Sequence, residues 1–176
     1  MPRRGGERRV ARAGGVVRCY AVTEETEAAT DRMRKGARST INVSRGIYES
    51  DDKVIHFTID SAQSAASDFT SFSASSSSFQ FCSKCREAMR EGGVVACCLN
   101  CFLEGNNLCL FAYSVPAWFC SMSNIGVQDT CSMEPEDTPE TVLRRANDLL
   151  AHGFGTYDLA LNNCFDFAFY CAVLGF

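Results

Sequence analysis

Cys164 lies in the stretch Asn162-Asn163-Cys164-Phe165-Asp166-Phe167, with a polar pair before the thiol and an apolar run after it. Asn is a favoured helix N-cap, so the cysteine is expected in the first turn of a helix. There the helix dipole and the free backbone N–H groups stabilise negative charge, and a thiolate is the nucleophilic form of cysteine. The placement suits covalent catalysis. A cysteine on an apolar helix also fits a buried core residue, since free cysteine is among the most buried residue types.

A second group of cysteines has different chemistry. Cys82-x2-Cys85 and Cys98-x2-Cys101 are two hooks separated by 12 residues, and Cys97 adjoins the second hook as a spare. A two-residue gap lets both sulfurs of a hook face one ion, and two hooks close a tetrahedral zinc site. Four sulfurs leave no open coordination position, so a structural zinc is expected rather than a catalytic one. Alternatively Cys97, Cys98 and Cys101 are small core residues beside a strand. The two histidines are His56, in an apolar alternating run, and His152, near the end of a predicted helix. A cationic imidazole at a helix C-terminus suits the dipole, so His152 is expected to be a solvated helix end.

The elements that must position these residues are legible in part. Gly46-Ile47-Tyr48 and Lys53 to Thr58 read as two strands joined by a turn at Glu49-Ser50-Asp51-Asp52. Residues 61–78 are Ser/Ala-rich and read as a flexible loop. Val94 to Cys97 and Leu108 to Tyr113 read as further strands, and residues 121–137 as a loop. Thr138-Pro139-Glu140 opens a helix, with Thr138 as N-cap. Val142, Leu143, Ala146, Leu149 and Leu150 form its apolar face, and Gly153 closes it. Strands first and helices last point to an α+β fold, with helices packed on an antiparallel sheet.

Length and composition set the frame. The chain has 176 residues and 46% hydrophobic content, enough for one domain with its own core and a tail. No run approaches the roughly 18 apolar residues of a membrane span, and no apolar stretch follows the N-terminal arginines as in a secretory signal. Eleven cysteines without such a signal are expected to be thiols or metal ligands in a reducing, intracellular setting, most simply the cytoplasm. Residues 1–45 hold 11 Lys/Arg against 5 Asp/Glu, leaving 6 against 16 for the remainder. This Arg-rich segment has few large apolar residues and is expected to be a disordered or atypical tail. Acidic residues interrupt its charge and its one aromatic residue, Tyr20, offers no interleaved stacking pattern, so nucleic acid is not an expected partner.

From Gly46 onward the chain resembles the lecithin-retinol-acyltransferase (LRAT) domain family, and in particular its small plant members. Gly46-Ile47-Tyr48, Lys53 to Thr58, the Cys82 to Cys101 block, Asn107 to Tyr113, Gly153-Phe154-Gly155 and Asn162-Asn163-Cys164 with Asp166-Phe167-Ala168 carry the resemblance. It implies a circularly permuted papain-like fold and a domain over residues 46–176, incomplete at its N-terminal side because an Arg/Gly/Ala-rich stretch replaces the family's first strands. It also implies acyl transfer from a phospholipid or similar acyl donor through a thioester on Cys164, with peripheral membrane contact and no organic cofactor. His56 matches the second of the family's two histidines and, as a Cys–His dyad, is the expected base. The first histidine position is Ser44, and a serine cannot accept a proton near neutral pH. The acidic position after the nucleophile is Phe165. The resemblance thus implies a thiol acyltransferase or lipid acyl hydrolase with an impaired site, or a non-catalytic relative that keeps the fold as a zinc-stabilised interaction module.

Overall fold

The computed structural model describes residues 13–14, 16–20, 43–59, 80–119 and 131–174. Five strands form one antiparallel sheet: β1 (Val16–Tyr20), β2 (Val43–Ser50), β3 (Lys53–Thr58), β4 (Gly93–Cys97) and β5 (Asn107–Leu110). Their order is β4-β3-β2-β1-β5. The helices are α1 (Ser83–Glu91), α2 (Leu99–Leu103), α3 (Pro139–His152) and α4 (Cys164–Phe169), which continues as a π-helical turn over Tyr170–Leu174. Two short helices therefore interleave with the later strands, and the two longer helical segments close the domain.

The expected hairpin is β2–β3, with Ile47 opposite Ile55 and Gly46 opposite His56. A register shift falls between Tyr48 and Ser50, beside the Asp51-Asp52 turn. Gly46 is needed for close approach: a Cβ there would lie 2.9 Å from the Ile55 carbonyl oxygen and 3.0 Å from the His56 Cβ.

The N-terminal segment differs from the expectation of a solvated tail. Val16–Tyr20 pairs with β2 on one side and with β5 on the other. The run Val-Val-Arg-Cys-Tyr has the β-branched and aromatic content of a strand, and compositional bias over 45 residues masked that five-residue signal. Gly14 supports the junction, where its N–H donates to the Tyr48 carbonyl at 2.8 Å. The rest of residues 1–45 apart from the start of β2, the Ser-rich stretch and most of the expected 121–137 loop lie outside the described residues.

Alternation along β2 and β3 divides the buried residues between two faces. Ile47, Ile55 and Phe57 face α3 and α4, in a core with Val142, Ala146, Phe167, Ala168, Cys171 and Ala172. Tyr48 and Val54 face the other way, in a second cluster with Cys85, Cys97, Cys101 and Phe102. An aromatic layer fills the helix side: Phe57 meets Phe154 at 5.4 Å and Tyr157 at 5.1 Å between ring centroids, and Phe154 meets Phe167 at 5.7 Å. α3 begins and ends as its sequence implies. Thr138 Oγ1 accepts from the Thr141 N–H, and Gly153, at φ +86°, donates its N–H to the Leu149 carbonyl. Arg145 ties α3 to its neighbours, pairing with Asp137 at 2.8 Å and donating to the Cys171 carbonyl at 2.9 Å.

Candidate functional site

Two sites lie on opposite faces of the sheet. On the helix side, Asn163 caps α4 and places Cys164 at its first residue. Asn163 Oδ1 accepts from the Phe165 N–H at 2.7 Å, and the Asn163 N–H donates to Asp166 Oδ2 at 2.8 Å. This reciprocal arrangement satisfies donors that a helix start otherwise leaves open. Asp166 is thereby spent on capping. The Cys164 residue is half-buried. Its sulfur lies close to the Tyr157 phenol, whose ring packs on Phe57. Burial first, and then the nearby Cys164 sulfur, raise the Tyr157 phenol above its ordinary value, so the hydroxyl keeps its proton and can donate it.

Sequence reasoning missed Tyr157, seven residues upstream of the thiol, because the loop between them gives no periodic signal. It also treated Arg45 only as the residue after Ser44. Arg45 is 7% exposed, and its guanidinium lies 4.9 Å from the Phe165 ring centroid. On β2 it is therefore Arg45 that faces α4, while alternation directs Ser44 to the other side. The ring that occupies the expected acidic position makes a cation–π contact instead.

His56 is not brought to Cys164. It leaves β3 on the face shared with Val54, and its Nε2 lies 3.3 Å from Cys97 Sγ on β4. Its ring meets Phe102 edge-on at 5.3 Å. His56, the expected base to Cys164, thus lies with Cys97, and Phe57, the next residue, is the one that points toward α4. His56 is 4% exposed, and burial pushes it down to about 4, so it is a neutral ring at ordinary pH. His152 is an exposed helix-end residue whose Nδ1 lies 2.8 Å from the Asp148 carbonyl oxygen.

The second site is the cysteine group. Cys82 and Cys98 are the N-caps of α1 and α2, with closely matched φ/ψ of −64°/157° and −72°/154°. Cys85 and Cys101 each fall three residues later, on the first turn. The two hooks are therefore repeats of one local structure. They also bond reciprocally: the Cys82 N–H donates to Cys101 Sγ at 3.4 Å, and the Cys98 N–H donates to Cys85 Sγ at 3.3 Å. All four sulfurs lie within 4.8 Å of one another, and those of Cys85 and Cys98 are 3.9 Å apart. Zn–S bonds of ~2.3 Å put tetrahedral sulfurs about 3.8 Å apart, so the group fits a metal of that size. The Cys85 backbone amide leads in pulling the Cys82 thiol down to about 7, and burial pushes Cys85 up to about 12. Helix N-termini and N–H···S bonds are what four thiolates around a cation require. The spare, Cys97, bonds His56 instead of joining the group.

The sequence model of the family described as "Lecithin retinol acyltransferase" matches residues 38–174. The chain belongs to the lecithin retinol acyltransferase family. "Protein LEAD-SENSITIVE 1" of Arabidopsis thaliana is 40% identical over 145 residues, which is 80% of this chain and 55% of that protein. The chain thus spans about half the length of its plant relative. No solved structure matches it. The LRAT match begins before β2 and ends in the π-helical turn, so it takes in both Cys164 and the four-cysteine group. Among the described residues no helix is long and apolar enough to cross a membrane.

Proposed function

We propose that this LRAT-family domain accepts an acyl group from a phospholipid or similar ester on Cys164, and that turnover is impaired by the loss of a histidine base. The observation that carries the reading is the half-buried thiol at the capped start of α4, beside a phenol that keeps its proton. Sγ adds to the ester carbonyl, the carbon–oxygen bond to the leaving alcohol breaks, and the thiol proton ends on that alcohol. The Tyr157 hydroxyl steadies developing charge at the sulfur and carbonyl oxygen. It cannot take the proton as a strong base at neutral pH, and a general base is typically worth a factor of roughly 10² to 10⁴. The thioester passes its acyl group to an acceptor or to water. A circularly permuted papain-like arrangement is the fold this chemistry implies.

Cys82, Cys85, Cys98 and Cys101 are proposed to hold one zinc ion. Bound there, it supplies a rigid cross-link between the α1 and α2 starts and no reactive position. A second reading, a non-catalytic zinc-stabilised interaction module, is favoured by His56, which is engaged with Cys97 and Phe102 on the metal-site face.

Intact mass after incubation with phospholipid separates the two. A gain of one acyl chain, absent in Cys164→Ala, supports the acyl-accepting thiol. No gain in folded, zinc-loaded protein leaves the interaction module.

A further inference from the structure

The loop that delivers Cys164 has an unusual surface. Leu161 is 82% exposed and Leu159 is 52% exposed, with Ala160 exposed between them. Three adjacent apolar side chains in water need a reason, since nothing in the loop's own folding uses them.

The polar groups of the loop bond largely to one another. Asp158 and Asn162 exchange two backbone hydrogen bonds, at 2.8 and 3.0 Å. Asp158 Oδ1 accepts from the N–H groups of Ala160 and Leu161, at 2.8 and 2.9 Å. Asn162 Nδ2 donates to the carbonyls of Phe154 and Thr156, and Asn163 Nδ2 donates to the Leu159 carbonyl. The Asn163 N–H is taken by Asp166. From Asp158 to Asn163 only the Leu159 N–H lacks such a bond here. The backbone N–H groups are thus largely satisfied from within, and the side chains of Leu159, Ala160 and Leu161 stand outside beside the exposed Asp158.

That combination suits one environment in particular. A segment entering the region between lipid headgroups and acyl chains must bring its own partners for backbone N–H groups, because each unsatisfied one costs several kcal/mol. This loop brings them. Residues 153–176 contain no Lys or Arg, and their two acidic side chains, Asp158 and Asp166, are spent on loop and helix capping. Attraction to anionic headgroups is therefore not the driving force.

We propose that Leu159-Ala160-Leu161 is a preformed apolar finger that inserts into a phospholipid interface and holds Cys164 against the acyl esters. The finger is continuous with the nucleophile through Asn163, which bonds the Leu159 carbonyl with its side-chain nitrogen and caps the Cys164 helix with its side-chain oxygen. The choice of lipid as partner rests on the acyl-transfer reading above. Binding itself needs neither the thiol nor its chemistry.

The test uses the whole chain and phosphatidylcholine vesicles. Trp118 is the single tryptophan and is replaced by phenylalanine. Tryptophan is then placed at Leu161 or, as a control, at the exposed Glu87 on α1. The Leu161→Trp emission should shift to the blue on adding vesicles and be quenched by acyl-chain-brominated lipid, while the Glu87→Trp emission stays unchanged. A Leu159→Asp/Leu161→Asp pair should weaken vesicle flotation by at least about tenfold. Flotation of the native chain should change little between low and high salt. Cys164→Ala should float as the native chain does, and a chain that floats but is never acylated would leave the finger standing while removing the catalytic reading. Acylation from a dissolved short-chain ester, with flotation unaffected by the aspartate pair, would overturn the finger and leave the catalytic reading intact. Unshifted Leu161→Trp emission in bound protein would also overturn it.

Discussion

Single side chains decide how each site behaves. His56 is the clearest case, because burial holds it near 4 against an ordinary value of about 6.5. Between those values the unfolded chain takes up a proton that the folded chain refuses, so stability is fully present above pH 6.5 and is lost as pH falls toward 4. The loss amounts to at most about 3 kcal/mol. Urea unfolding of the native chain and of His56→Phe from pH 7 to pH 4 should give two curves whose separation changes across that window. Parallel curves would mean that His56 is solvated in the folded protein. On the other face, Tyr157→Phe removes only a hydroxyl. A hydrogen bond to a charged group is worth about 1.5–3 kcal/mol, so acylation of Cys164 should slow by roughly 10- to 100-fold with the fold unchanged. An unaltered rate in mass-resolved time courses would leave the phenol a packing role.

At the level of elements, the capping residues carry more than their helices. Asn163 serves α4 through its oxygen and the 158–162 loop through its nitrogen. Asn163→Ala should cost about 1 kcal/mol for the cap. Because it also releases the loop, amide exchange should rise at Ala160 and Leu161 as well as in the first turn of α4. Exchange that rises only in the helix would separate the two functions. Gly46 shows the same economy in the sheet, since a side chain there would meet the Ile55 carbonyl and the His56 Cβ. Gly46→Val should lower stability by about 1–3 kcal/mol, as overpacking does, and thermal unfolding measures it directly. A neutral outcome would mean that β2 and β3 can separate locally without cost.

For the molecule as a whole, the sheet separates a helix-side core that positions the thiol from a cluster organised around cysteines. The second cluster buries Tyr48, Val54 and Phe102 with three cysteines, and Phe81, Leu99, Leu103 and Leu108 pack around them, so a bound ion would add a cross-link to an apolar cluster. Zinc analysis of purified protein should find one ion per chain. Its removal by a chelator should lower the melting temperature by more than ~10 °C, as should Cys85→Ala, while Cys97→Ala leaves zinc content unchanged. Loss of zinc from Cys97→Ala would mean that the spare thiol is a ligand.

Short-range sequence carries the residue types and the local elements. The hairpin, the α3 caps, the Cys164 helix start and both cysteine hooks were legible because each depends on neighbours within a few residues. So was kinship with the LRAT family, carried by several short blocks in order. The inner strand Val16–Tyr20 was hidden inside a segment whose overall composition argued for a tail. Tertiary structure alone decided which face each residue joined. His56 and Phe57 are adjacent in sequence, yet the two-residue period of a strand sends one to Cys97 and the other to Tyr157. The two hooks bond to each other only because α1 and α2 start side by side under the sheet. Spacing could name the ligands and the nucleophile, but a side chain's partner across a sheet is set by register and pleat, which depend on contacts far apart in the chain.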